Sequence, residues 1–212
     1  MSNFKIPKVL IIAGSDSSGG AGIQADIKTL TAQRVYAMTA ITTVTAQNTQ
    51  GVTNVEDLSL KIIEQQIEAC LIDMGIDAIK IGMVNRAEIF DMIFHLLKRH
   101  NLHQNNIPIV VDPVMYAKGG YPLLKKNAID ALKNFIINTN CLITPNIPEA
   151  EILAEMEIKT KKDMIIASKI MRKSGVSNIL LKGGHLSDKI LVDILNFENQ
   201  IYEFSVKKID TK

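Results

Sequence analysis

Cysteine is scarce in this chain: its 212 residues include only Cys70 and Cys141, with no Cys-x-x-Cys pair. That excludes a thiolate zinc cage and a disulfide framework and points to a reducing compartment, so the expected location is the cytoplasm. An excess of charge of either sign is also lacking. The 24 Lys and Arg against 22 Asp and Glu leave a formal charge of +2, too weak a field to argue for nucleic acid or an anionic membrane as partner. Long hydrophobic runs are missing as well. The first apolar run extends only from Val9 to Ala13, far short of a signal h-region or a membrane span. No internal repeat, low-complexity tract or Pro/Gly/Ser linker divides the sequence. What is present, 47% hydrophobic and 22% charged residues, fits one globular domain over 1–212 and disfavours disorder.

The apolar runs are short, β-branched and separated by segments of helical period, as in a parallel sheet buried on both faces. Strands are expected near Lys8–Ala13, Met38–Gln47, Ala78–Met83, Ile107–Asp112, Cys141–Thr144 and Ser177–Lys182, then a hairpin near Ile190–Asn196 and Ile201–Val206. Helices are expected over Gly20–Arg34, Leu58–Met74, Arg86–His100, Leu124–Ile137, Pro148–Met156 and Lys162–Ser174. In Leu58–Met74, residues Ile63, Ile67, Cys70, Leu71 and Met74 share one face, with Glu64 and Glu68 outside it. Right-handed crossovers would stack these into a three-layer α/β/α sandwich around a mostly parallel sheet, with ligands at the carboxyl ends of its strands. The stretch Pro113–Pro122, with Gly119-Gly120 after a strand end, reads either as a mobile flap or as an ordinary surface loop.

The first strand runs into Gly14-Ser15-Asp16-Ser17-Ser18-Gly19-Gly20-Ala21-Gly22-Ile23-Gln24-Ala25-Asp26 and on into a helix. Such a turn lets backbone amides approach a ligand. A Walker A reading fails, because Gly20-Ala21 stand where Lys and Ser/Thr are needed. A dinucleotide fingerprint is weak, since the next strand closes on Thr45-Ala46-Gln47-Asn48 without an acidic ribose partner. The alternative is a purely structural strand-to-helix turn. His95, His100 and His103 lack local carboxylate or sulfur partners for a metal and are expected on solvated surface.

Taken in order, Gly14–Asp26, Thr45-Ala-Gln-Asn-Thr49, Lys80-Ile-Gly-Met83, Val111-Asp-Pro-Val-Met115, Thr144-Pro-Asn-Ile-Pro-Glu-Ala150 and Lys182-Gly-Gly-His185 resemble the successive motifs of hydroxymethylpyrimidine/phosphomethylpyrimidine kinases of thiamin biosynthesis, in the ribokinase-like superfamily. The resemblance covers about Lys8 to Lys212, and departs from the family at Ser17, where proline is frequent. It implies a ribokinase-like fold over 1–212, ATP and Mg²⁺ at the active site, a small pyrimidine as substrate, and a homodimer.

The resemblance implies a substrate side built from Gly14, Gly20, Asp26, Gln47 and Met83. The residue types suit it: a Gln47 amide can donate to and accept from an aminopyrimidine edge. Asp26 is suited to hold the amino group or ring nitrogen. Met83 offers either a soft wall for a flat ring or plain core packing. On the nucleotide side, Asp112, Asn146 and Glu149 are expected to supply oxygen or water-mediated contacts to Mg²⁺ on a triphosphate, with Asp112 and Glu149 as its carboxylates. Asn146 and Glu149 also have the three-residue spacing of a helix capping box. Lys182, before Gly183-Gly184, is expected to act catalytically as a charge on phosphate oxygens, with Gly183 and Gly184 letting backbone amides approach; the plain alternative is a salt-bridged surface lysine.

The resembled family takes its proton acceptor and phosphate-binding amides from a His-Gly-Thr-Gly-Cys segment opening a C-terminal helix, and that segment does not occur in these 212 residues. Cys70 and Cys141 lie in unrelated contexts. The expectation is that the native protein continues past Lys212, the C-terminal part of the fold being absent from 1–212, and that these residues alone lack kinase activity. Two rival functions stand beside the leading one: a pyridoxine/pyridoxal kinase of the same superfamily, or a non-catalytic pyrimidine-binding remnant.

Overall fold

The structure is a computed structural model that describes residues 5–102, 107–115, 126–184 and 190–209. Residues 116–122 of the expected flap, along with His103 and His185, lie outside the described residues. The chain divides into two compact units, one comprising 1–109 and 114–135, the other 110–113 and 136–212; each is taken by itself.

In the first unit the strands are β1 (Lys8–Asp16), β2 (Tyr36–Asn48), β3 (Gly51–Asp57) and β4 (Ala78–Ile81), in the order β3-β2-β1-β4. β1 pairs parallel with β2 and with β4, whereas β3 runs antiparallel to β2. Leu10, Ile11, Ile12 and Ala13 of β1 are all buried, as expected for a strand covered on both faces. The helices are α1 (Gly22–Ala32), α2 (Leu60–Ala69) and α3 (Ala87–Arg99). α3 buries Ile89, Phe90, Ile93, Leu96 and Leu97 at three-to-four spacing, each such side chain contributing about 1.5–3 kcal/mol.

Three points depart from the sequence reading here. The segment after Gln47 is a strand, β3, closed onto β2 by a tight turn in which Asn48 Oδ1 accepts from the amides of Gln50 and Gly51. Helix α2 stops at Ala69 and widens into a π turn over Cys70–Met74 before Gly75; only Ile63 and Ile67 of its expected apolar face are fully buried. Nor is His100 a solvated surface residue. Its Nε2 lies 2.7 Å from Glu68 Oε2, and Arg99 donates to Glu68 Oε1 at 2.8 Å, so one carboxylate links α2 to the end of α3.

In the second unit β6 (Leu142–Ile143) and β7 (Asn178–Leu181) follow β5 (Ile109–Val111, which straddles the division) in parallel. β8 (Ile190–Phe197) and β9 (Gln200–Lys207) complete the order β5-β6-β7-β8-β9 as the expected antiparallel hairpin. α4 (Lys126–Asn138) crosses the division, and α5 (Ile147–Ala154) and α6 (Lys161–Lys173) belong to the second unit. Among the described residues this is a mixed α/β fold with a mostly parallel central sheet, the class read from the sequence.

Candidate active site

The carboxyl end of β1 supplies the first cluster. Asp16, its last residue, is buried, and its carboxylate accepts from Ser18 N and Oγ and from the amides of Gly20 and Ala21 at 2.8–3.1 Å. Ala21, the residue before helix α1, provides no side-chain cap, and its own amide is taken up by Asp16. Burial alone would push the Asp16 carboxyl up, but the hydrogen bonds from Ser18, Ala21 and Gly20 outweigh it and hold it below its ordinary value. The glycine-rich turn therefore differs from the open amide cradle expected of it, because the Gly20 amide is turned onto protein. Gln24 completes the arrangement, accepting from Asp16 N at 2.8 Å and donating to Ser15 Oγ at 2.7 Å.

Around this turn the expected substrate-side residues converge. A Cβ on Gly14 would lie 3.3 Å from the sulfur of Met83, so strand and methionine are in direct contact. Met83 is half-buried, and its carbonyl accepts from Thr42 Oγ1. Gln47 sits where the β2–β3 register shifts, and such an irregularity re-aims a side chain. Its backbone is held by Ser17, whose hydroxyl donates to Gln47 O at 2.7 Å and accepts from Gln47 N at 2.8 Å. Thr45 Oγ1 lies 2.8 Å from Ser15 O and 3.3 Å from the side-chain oxygen of Gln47. Asp26, by contrast, is engaged by a residue the sequence reading left without a role: Lys80 Nζ reaches its carboxylate at 2.7 Å, with both side chains about three-quarters buried.

The second cluster gathers at the carboxyl ends of β5, β6 and β7. Asp112 Oδ1 accepts from Thr144 Oγ1 and from Lys182 Nζ, each at 3.0 Å. Lys182 in turn donates its backbone N–H to Pro145 O and forms a bridge with Asn146. The Asn146–Glu149 capping box is present in both directions and opens α5, burying Glu149. The two glycines after Lys182 differ in role. Gly183 is packed so tightly that a Cβ would fall 2.0 Å from Val192 O, and its amide donates to Asp193 Oδ1; nothing stands within 4 Å of a Cβ on Gly184.

Residues 16–212 match the phosphomethylpyrimidine kinase family. The chain belongs to that family. A hydroxymethylpyrimidine/phosphomethylpyrimidine kinase of Bacillus subtilis is 41% identical over 210 residues, 99% of this chain and 76% of the relative. One from Haemophilus influenzae is 46% identical over 185 residues, 87% of this chain and 66% of its own. Among solved structures, phosphomethylpyrimidine kinase from Clostridium difficile 630 superposes with a TM-score of 0.82 at 47% identity, covering 94% of this chain and 84% of that one. A Bacillus subtilis pyridoxal kinase in complex with ADP gives 0.85 at 34% identity, covering 98% and 77%. Membership makes the chain a kinase, that is, a phosphotransferase.

Neither Cys70 nor Cys141 is activated for chemistry. Burial pushes the Cys141 thiol up to about 11 and raises Cys70 as well, which keeps both protonated. The residues of these two clusters given no site role in the sequence reading include Asp16, Ser17, Gln24, Thr45, Lys80 and Thr144. All of them stand inside the family motifs, where a polar residue at a strand end or in the glycine turn is the available signal, and Ser17 also marks the departure from proline.

Proposed function

We propose that this kinase transfers the γ-phosphoryl group of ATP to 4-amino-5-hydroxymethyl-2-methylpyrimidine and then to its monophosphate, in thiamin biosynthesis. The observation that carries this reading is Gln47, held by its backbone at the glycine turn with a side-chain amide able to pair with an aminopyrimidine edge. The Bacillus subtilis and Haemophilus influenzae relatives, both hydroxymethylpyrimidine/phosphomethylpyrimidine kinases, agree with it. Phosphoryl transfer depends chiefly on positioning and on stabilising charge on the phosphoryl oxygens. In this division of labour Gly14, Gln47 and Met83 hold the ring, with Gly20 bordering them and Asp26 acting through its pair with Lys80.

Lys182, with Asn146 and Gly184 beside it, binds phosphate. Its ammonium now rests on Asp112, an ion pair whose two side chains are 41% and 30% exposed. Pairs so accessible to water are weak, on the order of 0–1 kcal/mol, so phosphate oxygens can take over the ammonium. For Mg²⁺, the described residues contain no group of three or more His, Cys, Asp or Glu arranged as ligands. Asp112 and Glu149 offer the oxygen donors that Mg²⁺ takes one or two at a time beside water and phosphate, and they would hold it, where it would neutralise charge between the β- and γ-phosphates. Two pyridoxal kinases of similar fold were crystallised with ADP or AMP-PCP.

No helix among the described residues is long and apolar enough to cross a membrane. The reading carries with it a homodimer and a cytoplasmic location, the location alone being in keeping with the free Cys70 and Cys141. A pyridoxal kinase is the competing function, favoured by the second structural likeness. An ATP-consumption assay on the full-length protein separates them. Turnover on hydroxymethylpyrimidine well above that on pyridoxal is expected, and the reverse order overturns the proposal.

A further inference from the structure

The Thr45 hydroxyl carries a single proton and faces two oxygens, the Ser15 carbonyl at 2.8 Å and the end of the Gln47 side chain at 3.3 Å. A backbone carbonyl can only accept, so the proton goes to Ser15, the nearer of the two. Toward Gln47 the hydroxyl then has only a lone pair to offer. The two ends of a carboxamide are alike in shape, and the hydrogen-bond network decides which is which. The end facing Thr45 is therefore the NH₂ group, donating one N–H to Thr45 Oγ1. The carbonyl oxygen and the second N–H of Gln47 remain for a ligand.

Ser17 removes the other freedom of the residue. Its one hydroxyl donates to Gln47 O and accepts from Gln47 N, so the backbone on both sides of the Gln47 α-carbon is fixed to the turn after β1. We infer that Ser17 and Thr45 are positioning residues that make Gln47 selective for a ring bearing an exocyclic amino group: Ser17 fixes where the amide starts and Thr45 fixes which way round it lies. This rests on the reading of Gln47 as the pyrimidine contact. With the oxygen outward, an amino group on the ligand finds an acceptor. A ring lacking that group leaves the oxygen unmatched.

The test is steady-state kinetics of the full-length protein on hydroxymethylpyrimidine and on its analogue lacking the 4-amino group, for the parent, Ser17→Ala, Thr45→Val, Thr45→Ser and Gln47→Leu. Ser17→Ala and Thr45→Val are each expected to raise KM for the aminopyrimidine about 3–10-fold, the effect of one net hydrogen bond. The deaminated analogue and ATP should keep their KM, and kcat should stay within about twofold of the parent. Thr45→Ser should restore the parental preference, which a packing defect would not explain. Ser17 is exposed, so its variant keeps the question answerable even if Thr45→Val folds poorly. Gln47→Leu raising KM while Ser17→Ala and Thr45→Val match the parent overturns the positioning role and leaves the Gln47 contact standing. An unchanged KM in Gln47→Leu overturns that contact and the inference with it.

Discussion

A Cβ on Gly22 would fall 2.4 Å from the carbonyl oxygen of Gly14. The first turn of α1 thus meets β1 backbone to backbone, and Gly22 holds φ at +57° to do so. Gly22→Ala should lower stability by roughly 1–3 kcal/mol from the left-handed backbone alone, with the overlap adding to it. Chemical denaturation of the variant measures this, and a parental midpoint would show that the contact relaxes freely.

The adjacent glycines of the Lys182 motif should respond in opposite ways. Gly183→Ala drives a methyl group into Val192 O and should unfold the β7–β8 pairing or sharply lower Tm. Gly184→Ala meets nothing within 4 Å and should melt like the parent. Equal melting of the two variants contradicts this assignment.

For Asp16 the sign of the pH effect is fixed. A carboxyl held below its ordinary 3.8 in the folded state stabilises fully above that value and loses the contribution as pH falls through the folded value. Asp16→Asn should therefore be less stable than the parent near neutrality by about 1.5–3 kcal/mol, the range for hydrogen bonds to a charged group. The gap should narrow below about pH 4. A gap independent of pH down to 2 would rule out the carboxylate as its source.

Lys182→Ala should depress kcat far more than it raises KM for the pyrimidine, since a charge on phosphate oxygens acts most strongly in the transition state. Isothermal titration should show pyrimidine affinity within about twofold of the parent. Unchanged turnover would take Lys182 out of the active site.

The strand–helix alternation, the closing hairpin and the Asn146–Glu149 capping box could be read from the sequence because each is written in local periodicity or spacing. β3 was not legible: Gly51–Asp57 is an exposed antiparallel strand bearing Thr53, Asn54 and Glu56, so it carries no apolar run. The Asp26–Lys80 pair joins residues 54 apart in the chain, brought together only when β4 aligns beside β1. Gly183 was assigned to ligand approach on the strength of its neighbours, whereas its packing against Val192 depends on where β8 lies. The role of Asp16 was hidden for the opposite reason. It stands in full view inside the glycine turn, but its inward orientation follows from burial, which composition does not reveal.

That inward carboxylate sets the sign of the local potential. A helix start carries roughly half a positive charge, and α1 directs its own toward the end of β1. Asp16 already sits there as a full negative charge with three backbone amides around it. A phosphate arriving at this turn would meet that charge, with the Ser18, Gly20 and Ala21 amides already engaged. The end of β1 has the outline of an anion-binding loop and the charge of one already filled, so a second anion is repelled there.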